Sequence, residues 1–185
     1  MKLFLIRHGQ TVTNLEKRWT GQSDVELTEQ GRQEAESIRP VLEKIPFDKV
    51  FSSDLSRAVI TQQLALPGYE AEQTELLREF DVGTLEGRAF AEIPAEKRKT
   101  YDHYGGETTG QVCDRVRQFL KELEGKPWEY VAAFAHNGIL GCALRVILGA
   151  DIPGAAIRSD NCAIHVFEFD GKVWRLLAWN YMKKV

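Results

Sequence analysis

The chain has 185 residues, of which 43% are hydrophobic, so it can bury a core and we expect one domain spanning residues 1–185. Its formal net charge of −3 at pH 7 argues against a broad surface for nucleic acid or membrane, so any anion site has to be local. The three cysteines are too few and too widely spaced for a disulfide framework or a CxxC-type metal site. The opening MKLFLI does not resemble a signal peptide, so we expect a soluble cytoplasmic protein.

The sequence begins with a strand pattern followed by a helix pattern. Residues 2–6 predict a buried strand. A helix is predicted to begin near Thr28, because apolar residues recur on one helical face. These residues are Ala35, Ile38, Leu42 and Ile45. Pro40 is expected to kink or split this helix, since proline lacks a backbone N–H.

A second strand and helix follow. The stretch FDKVFSS, residues 47–53, predicts a buried strand. Residues 54–66 predict a helix after polar capping residues. Its apolar stripe is weaker and consists of Leu55, Val59 and Leu64.

The second half of the chain predicts two more helices, a third strand and a hairpin. The clearest amphipathic helix is followed by Gly125 and Pro127, the usual stopping order. Its apolar face consists of Val112, Val116, Phe119, Leu120 and Leu123. YVAAFA predicts a buried strand and NGILGCALRVILG the next helix. CAIHVFEF and KVWRLLAW flank Asp170-Gly171, a two-residue hairpin signal.

Strands that alternate with helices predict an α/β fold. We expect a three-layer sandwich with a mostly parallel central sheet, helices on both faces and an antiparallel edge from the last hairpin. In such sheets, ligands bind beyond the carboxyl ends of the strands. This rule selects the residues at the strand ends.

Cationic side chains follow the predicted strands. Arg7 and His8 leave the first strand at its carboxyl end, and His136 leaves YVAAFA in the same way. Arg57 lies in the first turns of the helix after a strand, and helical side chains lean back toward the N-terminus. Such a cluster attracts an anion, and guanidinium groups suit phosphate oxygens. The helix N-termini after Ser53 and at Asn137 would add backbone donors.

Each of these residues also has a structural interpretation. Arg7 alone is compatible with an ordinary loop arginine, and Arg57 with a surface helix residue. His136, which follows a buried strand, is equally compatible with a satisfied structural histidine. Their joint placement at three strand ends favours a phosphate site.

Four motifs together resemble the histidine phosphatase superfamily, also called phosphoglycerate mutase-like. LIRHGQTVTN, SSDLSRAVIT, LLREFDVGTLEG and AFAHNG occur in the family's order over essentially the whole chain. Within the family, the chain is similar to broad-specificity and alpha-ribazole phosphatases.

The resemblance implies a role for each matching residue. His8 matches the phosphorylated nucleophile, and Arg7, Arg57 and His136 match the phosphate pocket. Asn14 matches a polar residue that lines this pocket. Glu79 matches the acid that handles the proton of the leaving group, and Asp81 and Glu86 in the same run are alternative candidates. Asn137 and Gly138 follow His136, where many members carry two glycines.

Some residues remain open to two interpretations. The segment 88–106 contains several basic and aromatic residues and is expected to be a cap over the leaving-group pocket or a solvated helix and turn. The residues are Lys97, Arg98, Lys99, Tyr101, His103 and Tyr104. His165 is interpreted as a strand residue of the hairpin, and Cys113, Cys142 and Cys162 as packing residues.

The resemblance implies a phosphomonoesterase that acts on small phosphorylated metabolites through a phosphohistidine. We expect no cofactor and no metal, because Arg7, Arg57 and His136 would supply the positive charge. One alternative is a phosphoglycerate mutase, which returns the phosphoryl group to its substrate. A second is a non-catalytic protein that binds phosphorylated ligands. The sequence leaves the oligomeric state open.

Overall fold

The computed structural model describes residues 1–94, 101–153 and 156–181. These residues form a six-stranded sheet in the order β3-β2-β4-β1-β5-β6. Its strands are β1 (Lys2–Arg7), β2 (Lys49–Ser53), β3 (Glu72–Thr74), β4 (Tyr130–Ala135), β5 (Ile164–Phe169) and β6 (Trp174–Ala178). The first four pair in parallel, whereas β5 is antiparallel to both β1 and β6. The predicted mostly parallel sheet with an antiparallel edge is confirmed.

Helices cover both faces of the sheet. The helices are α1 (Val12–Leu15), α2 (Glu29–Leu42), α3 (Ser56–Ala65), α4 (Thr109–Leu123) and α5 (Asn137–Leu148). Leu3 and Leu5 of β1 belong to the same buried cluster as α4 and α5, whereas Ile6 packs with α2 on the other face. Successive strand residues point to opposite faces, so one central strand serves both cores. The predicted three-layer α/β architecture is confirmed.

Pro40 does not split α2, which was one of the two effects that we expected of it. The helix continues through Pro40 to Leu42, and Pro40 itself is exposed. A proline inside a helix leaves the carbonyl four residues earlier without its N–H donor. At an exposed position this carbonyl can bind water instead, which lowers the free-energy cost of the proline. Ile45, predicted on the helical face, lies beyond the helix end and still packs against the core.

The predicted apolar stripe of α3 is wrong. Leu55 precedes the helix as its N-cap, and Val59 and Leu64 are only partly buried. The buried face instead consists of Arg57, Ala58, Thr61, Gln62 and Ala65. Polar side chains are tolerated there because they are hydrogen-bonded, which removes most of the cost of burying them.

The last hairpin has a longer turn than predicted. Four residues, 170–173, separate β5 from β6. The carboxylate of Asp170 accepts the backbone N–H groups of Lys172 and Val173, both at 2.9 Å. These two bonds, together with the guanidinium of Arg175, lower the pKa of Asp170 to about 2. Gly171 has φ +95°, a conformation that favours glycine.

The two shortest elements, α1 and β3, were not predicted. With four and three residues, they are too short to show a hydrophobic period. The three cysteines are buried, in agreement with their interpretation as packing residues. In the described part of the chain, no helix combines the length and the hydrophobicity needed to cross a bilayer.

Candidate active site

Parallel pairing of β1 and β4 brings two histidines together. Arg7 lies opposite Ala135 in the sheet, so the next residue of each strand, His8 and His136, leaves at the same edge. The centroids of the two imidazole rings are 5.2 Å apart. Both side chains are buried, with exposed fractions of 4% and 0%. These two strand ends, which the sequence singled out, therefore lie side by side.

The turn after β1 depends on two glycines. A Cβ on Gly9 would lie 2.3 Å from the carbonyl oxygen of Gly31, and a Cβ on Gly31 would lie 2.1 Å from that of Gln10. Both distances are far below van der Waals contact, so the two backbones can approach only without side chains. The N–H of Gly9 also donates to Oγ1 of Thr61 in α3, at 3.0 Å. These contacts fix the position of His8.

One ring nitrogen of His8 is held by the backbone. Nδ1 lies 2.7 Å from the carbonyl oxygen of Gly9. A carbonyl can only accept, so Nδ1 carries the proton and Nε2 keeps a lone pair. Burial, with the positive charges of Arg57 and Arg7, lowers the pKa of His8 well below 6.5. His8 is therefore neutral at pH 7 and has a nitrogen able to act as a nucleophile.

Arg57 is 1% exposed and forms the floor of the site. Its Nη1 donates to the carbonyl oxygen of Ser23 at 2.9 Å, and its Nη2 to that of Gly21 at 2.8 Å. Its Nε donates to Nδ1 of His136 at 3.2 Å. Because Nδ1 of His136 accepts, Nε2 of this ring carries the proton. Burial lowers the pKa of His136 well below 6.5, and the charge of Arg57 lowers it further.

Two buried donors at this site lack partners. Within the described residues, Nε2 of His136 and Nε of Arg7 make no hydrogen bond. Arg7 is held through Nη1, which donates to the carbonyl oxygen of Ser159. An unpaired buried donor costs about 1–3 kcal/mol, so the site is organised to receive an acceptor. Its guanidinium groups favour an anionic one.

Glu79 is anchored at the start of α5. Its Oε2 accepts the N–H of Gly138 at 3.1 Å, and its Oε1 accepts the N–H of Phe80 at 2.9 Å. A Cβ on Gly138 would lie 2.1 Å from Oε1 of Glu79, so a larger residue would displace the carboxylate. We expected the backbone N–H groups at the start of this helix to bind an anion, but the N–H of Gly138 donates to Glu79 instead. Asn137 is exposed at the mouth of the site.

The two alternative carboxylates serve the loops. Oδ1 of Asp81 accepts the N–H of Gly83 at 2.8 Å. Oε1 of Glu86 accepts the N–H of Gln22 at 2.8 Å. Neither residue lines the cavity, whereas Glu79 does. The geometry therefore favours Glu79 as the carboxylate available to a ligand.

A cavity of about 1300 Å³ opens beside these groups. It contains seven of the residues that the sequence singled out, namely Arg7, His8, Asn14, Arg57, Glu79, Asn137 and Gly138. His136 does not line the cavity itself but is hydrogen-bonded to Arg57, which does. Aromatic residues and Arg145 also line the cavity.

Residues 3–182 match the model of the Histidine phosphatase superfamily (branch 1). The chain belongs to this superfamily. It is 30% identical, over 97% of its length, to a protein of Salmonella choleraesuis (strain SC-B67) named probable phosphoglycerate mutase GpmB, of which it covers 90%.

Solved structures of similar proteins include phosphatases. Mycobacterial glucosyl-3-phosphoglycerate phosphatase in complex with VO3 is 30% identical and has a TM-score of 0.86, with 97% of this chain and 98% of that chain covered. Phosphoserine phosphatase from Entamoeba histolytica, a mutant in complex with phosphoserine, is 27% identical with a TM-score of 0.86, over 97% and 96% of the two chains. The chain therefore has the family fold over nearly its whole length.

Sequence reasoning missed Asn161, which lies beside His8. Its Nδ2 donates to the carbonyl oxygen of His8 at 3.1 Å and to Oδ1 of Asn14 at 3.3 Å. The N–H of Thr11 donates to the same Oδ1 at 3.3 Å. Pairing of β5 beside β1 places residue 161 opposite the turn after β1. Predicting that pairing would have revealed Asn161.

His165 belongs to β5 as predicted, but it also supports the site. Its Nδ1 accepts the N–H of Asn180 at 3.2 Å, so Nε2 carries the proton and donates to Oγ of Ser159 at 2.9 Å. Ser159 is the residue whose carbonyl oxygen holds Arg7. Burial and the charge of Arg7 lower the pKa of His165 to about 3.

The buried histidines predict loss of stability in acid. The pKa values of His8, His136 and His165 in the folded protein lie below the ordinary 6.5. Below about pH 6.5 the unfolded chain binds more protons than the folded chain, so stability is full above that pH and falls as the pH drops toward the folded values. We expect the free energy of unfolding to fall by roughly 1 kcal/mol per histidine for each pH unit below 6.5.

Urea unfolding at pH 7.5, 6.5 and 5.5 measures this effect. His165→Gln should flatten the pH dependence by about a third, because one of three such groups is lost. His103→Gln is the matched control, since His103 is exposed, and should leave the dependence unchanged. Equal stability of the parent at pH 7.5 and 5.5 would contradict the neutral assignment of the buried histidines.

Proposed function

We propose that the chain is a phosphomonoesterase that hydrolyses small phosphorylated metabolites through a phosphohistidine on His8. The observation that carries this proposal is the state of the His8 ring. Its Nδ1 proton is held by the carbonyl oxygen of Gly9 at 2.7 Å, and Nε2 has a free lone pair. The same site holds Nε of Arg7 and Nε2 of His136, which have no partner among the described residues. A nucleophile next to a clamp of anion-binding donors is the arrangement that phosphoryl transfer requires.

In the first step, the lone pair of His8 Nε2 attacks phosphorus. The N–P bond forms as the bond from phosphorus to the leaving oxygen breaks. Glu79 gives a proton to that oxygen, so the product leaves as an alcohol. Arg7, Arg57 and the Nε2–H of His136 hold the equatorial oxygens, where charge accumulates in the transition state. Asn14, Asn137 and Gly138 line the approach to this site.

In the second step, water replaces the alcohol. The Glu79 carboxylate takes a proton from the water, whose oxygen attacks phosphorus as the N–P bond breaks. Inorganic phosphate leaves, and His8 returns to its neutral form with the proton on Nδ1. No proton or electron has to come from outside the substrate, water and these residues.

The described residues of the segment 88–106 support its interpretation as a cap over the leaving group. Phe90 and Tyr101 line the cavity, and Trp19 packs on both rings, with centroid distances of 4.7 and 5.4 Å. His103 is exposed. Lys97, Arg98 and Lys99 lie outside the described residues. We propose that this segment shapes the pocket for the part of the substrate beyond phosphorus.

A phosphoglycerate mutase is the second candidate, favoured by the name of the similar Salmonella protein. A mutase would use the same phosphohistidine and return the phosphoryl group to another hydroxyl of the product. The phosphatase is preferred because similar solved structures include phosphatases that are named for, or bound to, esters such as phosphoserine and glucosyl-3-phosphoglycerate.

Release of inorganic phosphate from p-nitrophenyl phosphate, phosphoserine and 3-phosphoglycerate tests the proposal. The protein is first treated with EDTA and then assayed without added metal. We expect phosphate release to survive this treatment and to be inhibited by vanadate, which occupies a phosphoryl site built from side chains. Strict dependence on added magnesium would contradict the mechanism. Tight vanadate binding without turnover of any ester would favour a non-catalytic binding protein.

A further inference from the structure

Besides Arg7 and Arg57, two more arginines line the cavity, namely Arg18, which pairs with Glu16, and Arg145. Arg145 belongs to α5, and its Nε is buried and has no hydrogen-bond partner among the described residues. Within the described parts of the chain, its guanidinium makes neither an ion pair nor a hydrogen bond, unlike Arg115 on α4, which is paired with Glu107. The arginine is therefore held at the cavity wall with its donors unused.

The position of this guanidinium follows from Gly141. A Cβ on Gly141 would lie 3.2 Å from Nη1 of Arg145, so the side chain folds back along α5 over this glycine. Gly141 is one helical turn beyond Gly138, a rise of about 4.5 Å along the axis. Because the N–H of Gly138 holds Glu79, the guanidinium lies within the reach of a small molecule whose ester oxygen is at Glu79.

Aromatic rings form another part of the same wall. Phe80 packs on Tyr101, Tyr101 on Trp19, and Trp19 on Phe90, with centroid distances of 5.3, 5.4 and 4.7 Å. The indole N–H of Trp19 is also buried and finds no acceptor in the part of the chain that the structure describes. Apolar walls beside a charged hydrogen bond reduce the competition from water and so strengthen that bond.

We infer that Arg145 binds a carboxylate on the leaving group, so that the substrates are phosphate esters of small hydroxy or amino acids. This inference rests on the proposed phosphomonoesterase function. The phosphoryl group has its own clamp at Arg7, Arg57 and His136, so a second anion at Arg145 belongs to the rest of the substrate. A carboxylate matches the planar fork of a guanidinium. Asp151 also lines the cavity but is exposed and forms no ion pair with Arg145.

Phosphoserine and phosphoethanolamine provide a matched test, because the two esters differ only by a carboxylate. We expect the parent to hydrolyse phosphoserine with a kcat/KM about 10- to 100-fold higher, the range for a hydrogen bond to a charged group. Arg145→Gln should abolish this preference, mainly by raising KM for phosphoserine. Arg145→Lys should restore part of it, since lysine keeps the charge without the fork.

Arg117→Gln is the control variant. Arg117 lies on the exposed face of α4, pairs with Asp114 and does not line the cavity, so this variant should keep the parent preference. The preference for phosphoserine over phosphoethanolamine is measured on the parent protein alone. The inference therefore stays testable even if Arg145→Gln folds poorly.

Three outcomes would overturn the inference. Equal kcat/KM values of the parent for the two esters would exclude a carboxylate subsite, as would a preference that Arg145→Gln retains. A larger preference for fructose 1,6-bisphosphate that is lost in Arg145→Gln would assign the subsite to a second phosphate. If the parent released phosphate from none of these esters nor from p-nitrophenyl phosphate, the proposed function itself would fail.

Discussion

Replacing His8 with alanine is expected to lower the rate of phosphate release by about four orders of magnitude or more, because alanine has no lone pair to attack phosphorus. No neighbouring group can take over this role. Nδ1 of His136 is occupied by Arg57, and its Nε2 carries a proton. The fold should be retained, since the Gly9 to Thr61 contact that fixes the turn does not involve the imidazole.

Acid-quench labelling is unsuitable for phosphohistidine, so the intermediate is measured by an alkaline quench. The protein is mixed with ³²P-labelled ester and denatured within the first turnover, under alkaline conditions in which phosphohistidine is stable. The parent should carry label and His8→Ala should carry none. His103→Ala, which changes an exposed histidine, should be labelled like the parent. Equal labelling of the parent and His8→Ala would exclude His8 as the nucleophile.

Glu79→Gln is expected to slow alkyl phosphates by about 10²- to 10⁴-fold, the usual contribution of general acid-base catalysis. The amide keeps an oxygen that can accept the N–H of Gly138, but it has no acidic proton to transfer to the leaving oxygen. An ester with a good leaving group, such as p-nitrophenyl phosphate, needs little protonation and should be slowed far less in the phosphorylation step. The ratio of the two effects is therefore the informative quantity.

Burst kinetics separate the two roles of Glu79. With p-nitrophenyl phosphate, Glu79→Gln should show a rapid burst of p-nitrophenolate followed by slow turnover, because water still has to lose a proton in the second step. Asp81→Asn is the matched control, since Asp81 caps the 83–85 turn and does not line the cavity. Equal slowing of both ester types without a burst would remove Glu79 from the proton-donor role.

The sequence was informative where function depends on strand ends. A buried strand followed at once by charged residues marks the carboxyl edge of a parallel sheet, so the sequence alone was enough to place Arg7, His8 and His136 together. Arg57 followed from the direction in which helical side chains lean. The resemblance supplied roles that spacing alone could not.

Other features could not be predicted because they depend on long-range contacts. Ser159, Asn161 and His165 reach the first strand through antiparallel pairing of β5 with β1, across about 150 residues of sequence. No local pattern marks such contacts. The buried face of α3 was wrongly predicted for a related reason. A prediction from hydrophobic periodicity assumes that buried residues are apolar. Arg57, Thr61 and Gln62 are polar but buried, and hydrogen bonds satisfy their side chains.

The most direct test of the phosphatase account is a ³¹P NMR time course with 3-phosphoglycerate, in the presence of a trace of 2,3-bisphosphoglycerate to prime any mutase activity. If water is the acceptor of the phosphoryl group on His8, the 3-phosphoglycerate signal is replaced by inorganic phosphate, with little 2-phosphoglycerate at any time. Rapid conversion to 2-phosphoglycerate with negligible inorganic phosphate would contradict the account and identify the protein as a mutase.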